Sequence, residues 1–168
     1  MQQSSIRSIV QALNDASVRY LIAGGLAVVA HGHLRFTADV DLILDLDSAN
    51  VQKALKALAG LGYQPRPPVP IGQFADASMR ERWIKEKGLT VFTLFSPAHD
   101  MTEVDLFVHP PFDFEKAYHS AYRADAAPGV PATFVGINDL IAMKEAVGRP
   151  QDVADVVQLR RLRKSGHP

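Results

Sequence analysis

Cysteine is absent from this 168-residue chain. Its absence excludes a disulfide framework, a thiolate metal site and a cysteine nucleophile, and it favours a reducing compartment. The chain also lacks an excess of either charge, because 18 basic residues stand against 18 acidic ones. Net charge therefore selects no class of partner, neither nucleic acid nor an acidic surface.

Long apolar segments are missing as well. The longest, from Leu21 to Ala30, contains two glycines and is too short to span a bilayer. The N-terminus has the spacing of a helix rather than the plan of a signal peptide. We therefore expect a cytoplasmic protein with no membrane partner.

Several catalytic motifs are also absent. The sequence contains no Gly-x-Ser-x-Gly turn, no Gly-x-x-x-x-Gly-Lys-Ser/Thr phosphate loop and no Gly-x-Gly-x-x-Gly. These absences exclude the usual serine hydrolase, P-loop and dinucleotide-binding plans, and they leave the acidic residues as the main candidates for chemistry.

Segments with strand and helix periods alternate along the chain. This alternation predicts an α/β or α+β fold, with a small mixed β-sheet flanked by helices. The length suits a single domain over residues 1–168. Within it we expect a sheet-containing core over 1–135 and two closing C-terminal helices over 136–168.

The clearest strand is "DVDLILDLD", which begins at Asp39. Val40, Leu42, Leu44 and Leu46 share one face, and the four aspartates share the other with Ile43, which is the period of two that a strand requires. Alternation of this kind is typical of any half-exposed strand. We adopt that ordinary interpretation for Asp45 and Asp47.

Asp39 and Asp41 have a second interpretation. Their Cα atoms would lie about 6.5 to 7 Å apart on one face of a strand, so their carboxylates can converge on one cation. Oxygen ligands in this arrangement suit Mg²⁺ or Mn²⁺. The pair Gly24–Gly25 lies upstream, between a short strand and a helix, where backbone N–H groups point outward and glycine lets a phosphate approach closely. Together the two features predict a protein that handles nucleotides.

The same residues carry a family resemblance. "AGG", thirteen further residues and "DVD" resemble the signature of the nucleotidyltransferase superfamily of DNA polymerase β type. The blocks "GGLAVVAHGHLRFTADVDLIL" and "DLIAMKEAVGRPQDVADVVQL" are similar to the small bacterial abortive-infection (AbiEii-like) nucleotidyltransferases. The proline-rich middle of the chain carries no motif of that family.

The resemblance implies a role for each matching residue. Gly24 and Gly25 would hold the triphosphate of a nucleotide, and Asp39 and Asp41 would bind Mg²⁺ or Mn²⁺. A third acid from a neighbouring strand would complete the catalytic and metal site. We select Asp105 in "EVDLF" for that role, and Glu103, on the same face of its strand, is the rival.

Three further residues are candidates for nucleotide binding. The resemblance places Lys144 over the nucleotide, where its ammonium would neutralise phosphate charge; an ordinary solvent-exposed lysine is the alternative. Arg35 and Thr37 precede the metal pair. They contact phosphate, or Arg35 pairs with Asp39 or Asp45.

The charged residues near the C-terminus have a more ordinary interpretation. We expect Arg149, Asp152 and Asp155 to form an ion-pair and capping set between the last two helices. Basic residues within 80–87 and 160–164 are candidates for a nucleic-acid surface, although solvated helix faces have the same composition.

The resulting functional hypothesis is a Mg²⁺-dependent nucleotidyltransferase. It would move NMP from an NTP to a hydroxyl on an RNA end, a protein side chain or a small molecule. The resemblance to toxin-type enzymes adds tRNA or a protein as acceptor, and a cognate partner protein. The alternative is a non-catalytic nucleotide-binding or antitoxin-like module, because the glycine pair lacks the serine that many superfamily members carry there. Neither the NTP nor the acceptor follows from the sequence.

Overall fold

The computed structural model describes residues 2–166, in which the chain forms seven α-helices and seven β-strands. The helices are α1 (Gln3–Asp15), α2 (Gly24–Ala30), α3 (Ser48–Gly60), α4 (Ala77–Lys87), α5 (Phe114–His119), α6 (Ile137–Val147) and α7 (Pro150–Lys164). The strands are β1 (Tyr20–Ile22), β2 (Asp39–Leu44), β3 (Gln64–Pro65), β4 (Val91–Phe95), β5 (Glu103–Phe107), β6 (Tyr122–Ala127) and β7 (Val130–Phe134). Two short 3-10 turns cover Ile71–Ala75 and Pro97–His99.

All the strands within residues 2–166 join one mixed sheet, in the order β3-β4-β5-β2-β1-β7-β6. The pairs β2–β5 and β1–β7 are parallel, and the other neighbours are antiparallel. A mixed sheet flanked by helices confirms the fold class expected from the sequence. Within the described range, no helix combines the length and the apolar character needed to cross a bilayer.

Strand β2 shows why one face of this sheet carries the acids. Val40, Leu42 and Leu44 are completely buried, whereas Asp39 and Asp41 on the other face are partly exposed. Burial of each aliphatic side chain stabilises the fold by about 1.5–3 kcal/mol. A register shift of one residue would exchange the two faces, so the core fixes the direction in which the aspartates point.

The two later aspartates of "DVDLILDLD" do not lie on the strand, because β2 ends at Leu44. The interpretation of Asp45 and Asp47 as exposed strand positions is therefore wrong. Asp45 pairs with Arg19, with Nη1 and Oδ2 2.6 Å apart. Asp47 caps α3, because its carboxylate accepts hydrogen bonds from the backbone N–H of Ala49 and Asn50. A short acidic side chain at this point satisfies the first N–H groups of a helix better than it serves a strand.

The last two helices pack against each other, and α6 also contacts α2, the helix that follows β1. Helices α6 and α7 both lie inside the segment 136–168, for which the sequence predicts two closing helices. Through these contacts α6 and α7 stand beside the acidic part of the sheet.

Candidate active site

One cleft of about 950 Å³ opens over the acidic part of the sheet. Segments that are distant in sequence meet there: the turn after β1, the segment before β2, strands β2 and β5, and helix α6. The cleft brings together every site residue selected from the sequence. These are Gly24, Gly25, Arg35, Thr37, Asp39, Asp41, Asp105 and Lys144.

The carboxylates meet because β2 and β5 are adjacent and parallel. Asp41 is paired with Asp105 across the two strands, and Asp39 with Glu103. Adjacent strands lie about 4.8 Å apart, and paired residues project from the same face of the sheet. The four acids therefore form two neighbouring rows on one surface.

The two acids of β5 have different partners. Glu103 is hydrogen-bonded to the guanidinium of Arg66 and does not line the cleft. Asp105 does line it, and its Oδ1 accepts a hydrogen bond of 2.5 Å from Thr93 Oγ1 on β4. The geometry therefore favours Asp105 over Glu103 as the third acid.

Burial and crowding change the acidity of all three aspartates in the cleft. Desolvation, with repulsion from Asp105 and Asp39, raises the pKa of Asp41 to about 6, although Lys144 and Arg149 act in the opposite direction. The pKa of Asp39 is raised by burial and then by the charges of Asp105 and Glu103. Burial also raises the pKa of Asp105, against the effect of its hydrogen bond from Thr93. A cation among these groups would favour their ionised forms.

The chemistry of these acids suits a divalent cation, but the positions of their side chains do not yet form a metal site. Three carboxylates on two adjacent strands supply the hard oxygen donors that Mg²⁺ or Mn²⁺ prefers, and burial together with repulsion among the acids raises their pKa values. As the side chains stand, however, no three acidic or histidine side chains in residues 2–166 are gathered closely enough to hold a metal ion. The donor chemistry fits the cation, and ligation would require the carboxylates to rotate toward one another.

Gly24 lies directly against one of these acids. A Cβ atom at this position would stand 1.8 Å from Oδ2 of Asp41, and the φ angle of Gly24 is +58°. Both facts require glycine, because other residues rarely adopt this conformation and a side chain would displace the carboxylate. The backbone of Gly24 therefore lies so close to Asp41 that no side chain fits between them.

A substitution at Gly24 tests this contact. We expect Gly24→Ala to lower the free energy of unfolding by more than 2 kcal/mol, because it adds a steric clash with Asp41 to about 1 kcal/mol of backbone strain. Urea denaturation measures the change. Gly88→Ala is the matched control, since Gly88 has a φ of +60° but open space around its Cβ position. Equal losses in the two variants would contradict the close contact with Asp41.

Gly25 packs against the segment that precedes β2. A Cβ at Gly25 would lie 2.4 Å from Thr37 Oγ1 and 3.2 Å from Nη2 of Arg35. Thr37 and Arg35 thus form the support behind the glycine turn as well as part of the cleft wall. The pairing of Arg35 with Asp39 or Asp45, one of the two possibilities that the sequence offers, is wrong, because its partner is a different residue.

That partner is Asp155 on α7, whose Oδ2 lies 2.6 Å from Nη1 of Arg35. Asp155 is fully buried, and it also pairs with Lys144 Nζ at 2.8 Å. Burial raises the pKa of Asp155, but hydrogen bonds and charge from Lys144, with help from Gln151 and Arg35, outweigh burial, so the net pKa is lowered. A buried carboxylate therefore joins the segment before β2 to both closing helices.

The structure contradicts one of the two expectations for Lys144. It is buried, so it is not an ordinary exposed lysine. Its ammonium also lies 3.1 Å from Asp152, in addition to its pairing with Asp155. Two carboxylates thus already pair with the ammonium that would neutralise a triphosphate. The ion-pair set predicted for Arg149, Asp152 and Asp155 exists, and it includes Lys144.

Two further residues, Thr93 and Arg149, lie beside the acids, although neither is among the site residues predicted from the sequence. Thr93 donates a hydrogen bond to Asp105 and so orients its carboxylate. The period of two in "TVFTLF" places Thr93 on the same face as Val91 and Phe95, and the pairing of β4 with β5 places that face beside Asp105. Arg149 lines the cleft with a largely exposed side chain, held by a 3.1 Å contact between its Nε and Asp152. Its guanidinium is the cation of the cleft most open to a ligand.

Neither the known family models nor the curated proteins give a match to this sequence. The functional assignment therefore depends on the residues of the cleft and their geometry.

Proposed function

We propose that this protein is a Mg²⁺-dependent nucleotidyltransferase, of the polymerase β type that the sequence resembles. One observation carries the proposal: Asp41 and Asp105 are paired on adjacent parallel strands, and the glycine turn lies directly against Asp41. Paired carboxylates beside a backbone turn free of side chains suit a triphosphate and its cation. The enzyme would move NMP from an NTP to a hydroxyl group.

Asp39, Asp41 and Asp105 would hold the divalent cation, which is Mg²⁺ or Mn²⁺. When bound, such a cation supplies charge neutralisation at the phosphates and lowers the pKa of a nearby hydroxyl. Gly24 and Gly25 would let the phosphates approach the backbone, and Arg149 would add a positive charge that no buried group fully compensates.

The transfer forms a bond between the acceptor oxygen and the α-phosphorus and breaks the bond from that phosphorus to pyrophosphate. The hydroxyl proton needs an acceptor on the attacking side. Asp105 suits this role because Thr93 already donates to its Oδ1, which leaves Oδ2 as the free oxygen.

Calorimetry followed by a transfer assay tests the proposal. We expect ATP, GTP, CTP or UTP to bind in the presence of Mg²⁺, and a nucleotide labelled at the α-phosphate to leave its label on an acceptor from a cell extract. Unlabelled pyrophosphate should be released in equal amount. If no nucleotide binds with Mg²⁺ or Mn²⁺, the proposal is wrong.

A non-catalytic nucleotide-binding or antitoxin-like module is the second candidate. The charge compensation of Lys144 favours it, because an enzyme of this class needs strong cations around the leaving pyrophosphate. Tight, Mg²⁺-dependent binding of an NTP with no transfer to any component of the extract would identify the module.

The acceptor is proposed only as a class: an RNA end such as that of tRNA, a protein side chain or a small molecule. Three of the basic residues considered for nucleic acid are used within the fold. Arg80 is buried and donates to the carbonyl of Phe74, and at the C-terminus Arg160 pairs with Glu145 and Arg163 donates to Asn138. A protein acceptor or cognate partner protein therefore remains within the proposal.

A further inference from the structure

Beyond the acids, the surface of the sheet becomes apolar. Asp105 is paired with Thr93, and two residues further along the same strands Phe107 is paired with Val91. Residues i and i+2 share a face and lie about 6.5 to 7 Å apart. An apolar row therefore follows the acidic row directly, within the same cleft.

Side chains from outside the sheet extend this apolar row into a wall. Phe112 contributes from the segment after β5, and Met143 and Val147 contribute from α6. We call these three residues, together with Val91 and Phe107, the apolar wall. Thr90, next to Val91, and Asp139 on α6 are polar members of the same lining.

The strand order places the two ends of the cleft on opposite sides of the acids. The glycine turn continues from β1, the acids lie on β2 and β5, and Val91 lies on β4, with these strands in the order β1-β2-β5-β4. Three strand spacings of about 4.8 Å separate β1 from β4. The cleft is thus long enough for an extended ligand whose middle lies over the acids.

The charges of the cleft are distributed unevenly along this direction. Arg35 lies against Gly25 and shares Asp155 with Lys144. Lys144 in turn shares Asp152 with Arg149, so these three cations form one linked group that begins at the glycine turn. Phe107 and Val91 lie at the other end. A ligand with several negative charges at one end and a flat uncharged group at the other matches this distribution.

We infer that the apolar wall receives the base of the nucleoside triphosphate and holds it by contact rather than by hydrogen bonds to its edge, so that all four bases are accepted. The inference rests on the proposed function, since it needs the triphosphate at the glycine turn. Wide, sequence-tolerant acceptance is the usual result when an aromatic surface packs on a base, because every base has a π-face. A site that discriminates strongly among bases needs polar groups that the wrong base leaves unpaired.

Calorimetry with two kinds of probe tests the inference. Inorganic tripolyphosphate with Mg²⁺ reports the charged end alone, and ATP, GTP, CTP and UTP report both ends. For the unmodified protein we expect the four dissociation constants to agree within about tenfold. We also expect each nucleotide to bind more tightly than tripolyphosphate, because of the additional contacts at the apolar wall.

Substitutions separate the two ends. Phe112→Ala should weaken all four nucleotides by about tenfold, through loss of the contact with the base, and leave tripolyphosphate unchanged. Val147→Ala should weaken them in the same direction by a smaller factor, and because Val147 is 57% exposed, its truncation should leave the fold intact. Phe114→Ala is the matched control, because Phe114 packs on Tyr118 outside the cleft and its loss should change neither probe. Unchanged tripolyphosphate binding also serves as the measure that each variant is folded.

Each outcome has one consequence. If Phe112→Ala and Val147→Ala bind nucleotides as the unmodified protein does, the base lies elsewhere and the inference is wrong, while the proposed function stands. A preference above about a hundredfold for one base would show that the base is read by hydrogen bonds, which also overturns the inference. If the unmodified protein binds neither nucleotides nor tripolyphosphate, the proposed function fails and the inference fails with it.

Discussion

Asp41→Asn is expected to reduce nucleotide transfer by about a thousandfold or more, because a carboxylate that would hold the cation and its neighbouring phosphates is lost. Asparagine has nearly the same shape, so the strand pairing with β5 and the contact with the glycine turn should persist. The measurement is kcat/KM in the transfer assay, together with the Mg²⁺ concentration that gives half-maximal rate.

The same substitution is expected to stabilise the protein without metal. Because the folded pKa of Asp41 is raised from 3.8 to about 6, the folded state binds the proton more tightly than the unfolded state. Stability from this group is therefore present below pH 4 and is lost as the pH rises to about 6. At about 1.4 kcal/mol per pKa unit, Asp41→Asn should gain up to about 3 kcal/mol at pH 8 and little at pH 4. Urea denaturation of both proteins at the two pH values measures the difference.

Glu103→Gln is the matched control for Asp41→Asn. Glu103 faces the same side of the sheet but pairs with Arg66 outside the cleft, so its loss should leave transfer within a few-fold and remove only a partly exposed ion pair of less than about 1 kcal/mol. Full activity of Asp41→Asn, or a larger loss in Glu103→Gln, would contradict the assignment of the acids.

The parts of the site that the sequence predicts are those fixed by local chain geometry. Asp39 and Asp41 share a face because they are two residues apart on a strand, whatever else the protein does. The apolar residues that alternate with them, Val40, Leu42 and Leu44, determine which face of β2 meets the core, and all three are buried. The position of the glycine pair between a strand and a helix follows from the same local patterns, whereas its role as a phosphate cradle stays a prediction.

The choice between Asp105 and Glu103 could not come from the sequence, because both lie on one face of β5. It depends on Arg66, which reaches Glu103 from the proline-rich segment that carries no recognisable motif. The choice also depends on Thr93 of β4, which donates a hydrogen bond to Asp105. Pairings of this kind depend on strand order, which periodicity does not determine.

The burial of Lys144 is a second feature that the sequence pattern does not predict. Its position on α6 was predictable, but its burial depends on how α6 and α7 cross and on which acids α7 brings beside it. A helix pattern predicts neither the crossing angle nor the partners of a long side chain. The roles of Lys144, Arg35 and Thr37 in nucleotide binding stay predictions.

Asp155→Asn is expected to cost about 3–5 kcal/mol of unfolding free energy, because removal of one partner leaves buried cationic charge uncompensated. Asp155 is fully buried and accepts from both Arg35 and Lys144. Its pKa is lowered in the folded protein, so its contribution is present above the unfolded pKa and is lost as the pH falls through the folded value. The deficit of Asp155→Asn should therefore be complete at pH 7 and shrink below about pH 4.

Two further variants make this prediction specific to the buried cluster. Glu145→Gln removes the ion pair with Arg160, which joins the same two helices at the exposed surface, and should cost less than about 1 kcal/mol. Adding Lys144→Met to Asp155→Asn restores the charge balance and should recover a substantial part of the lost stability, because one of the two cations that shared Asp155 is then absent. Chemical denaturation of the three variants at pH 7 decides the matter: if the double variant is no more stable than Asp155→Asn, uncompensated charge is not the cause. Loss of the same contact should also weaken nucleotide binding, since Arg35 would no longer be held against the glycine turn.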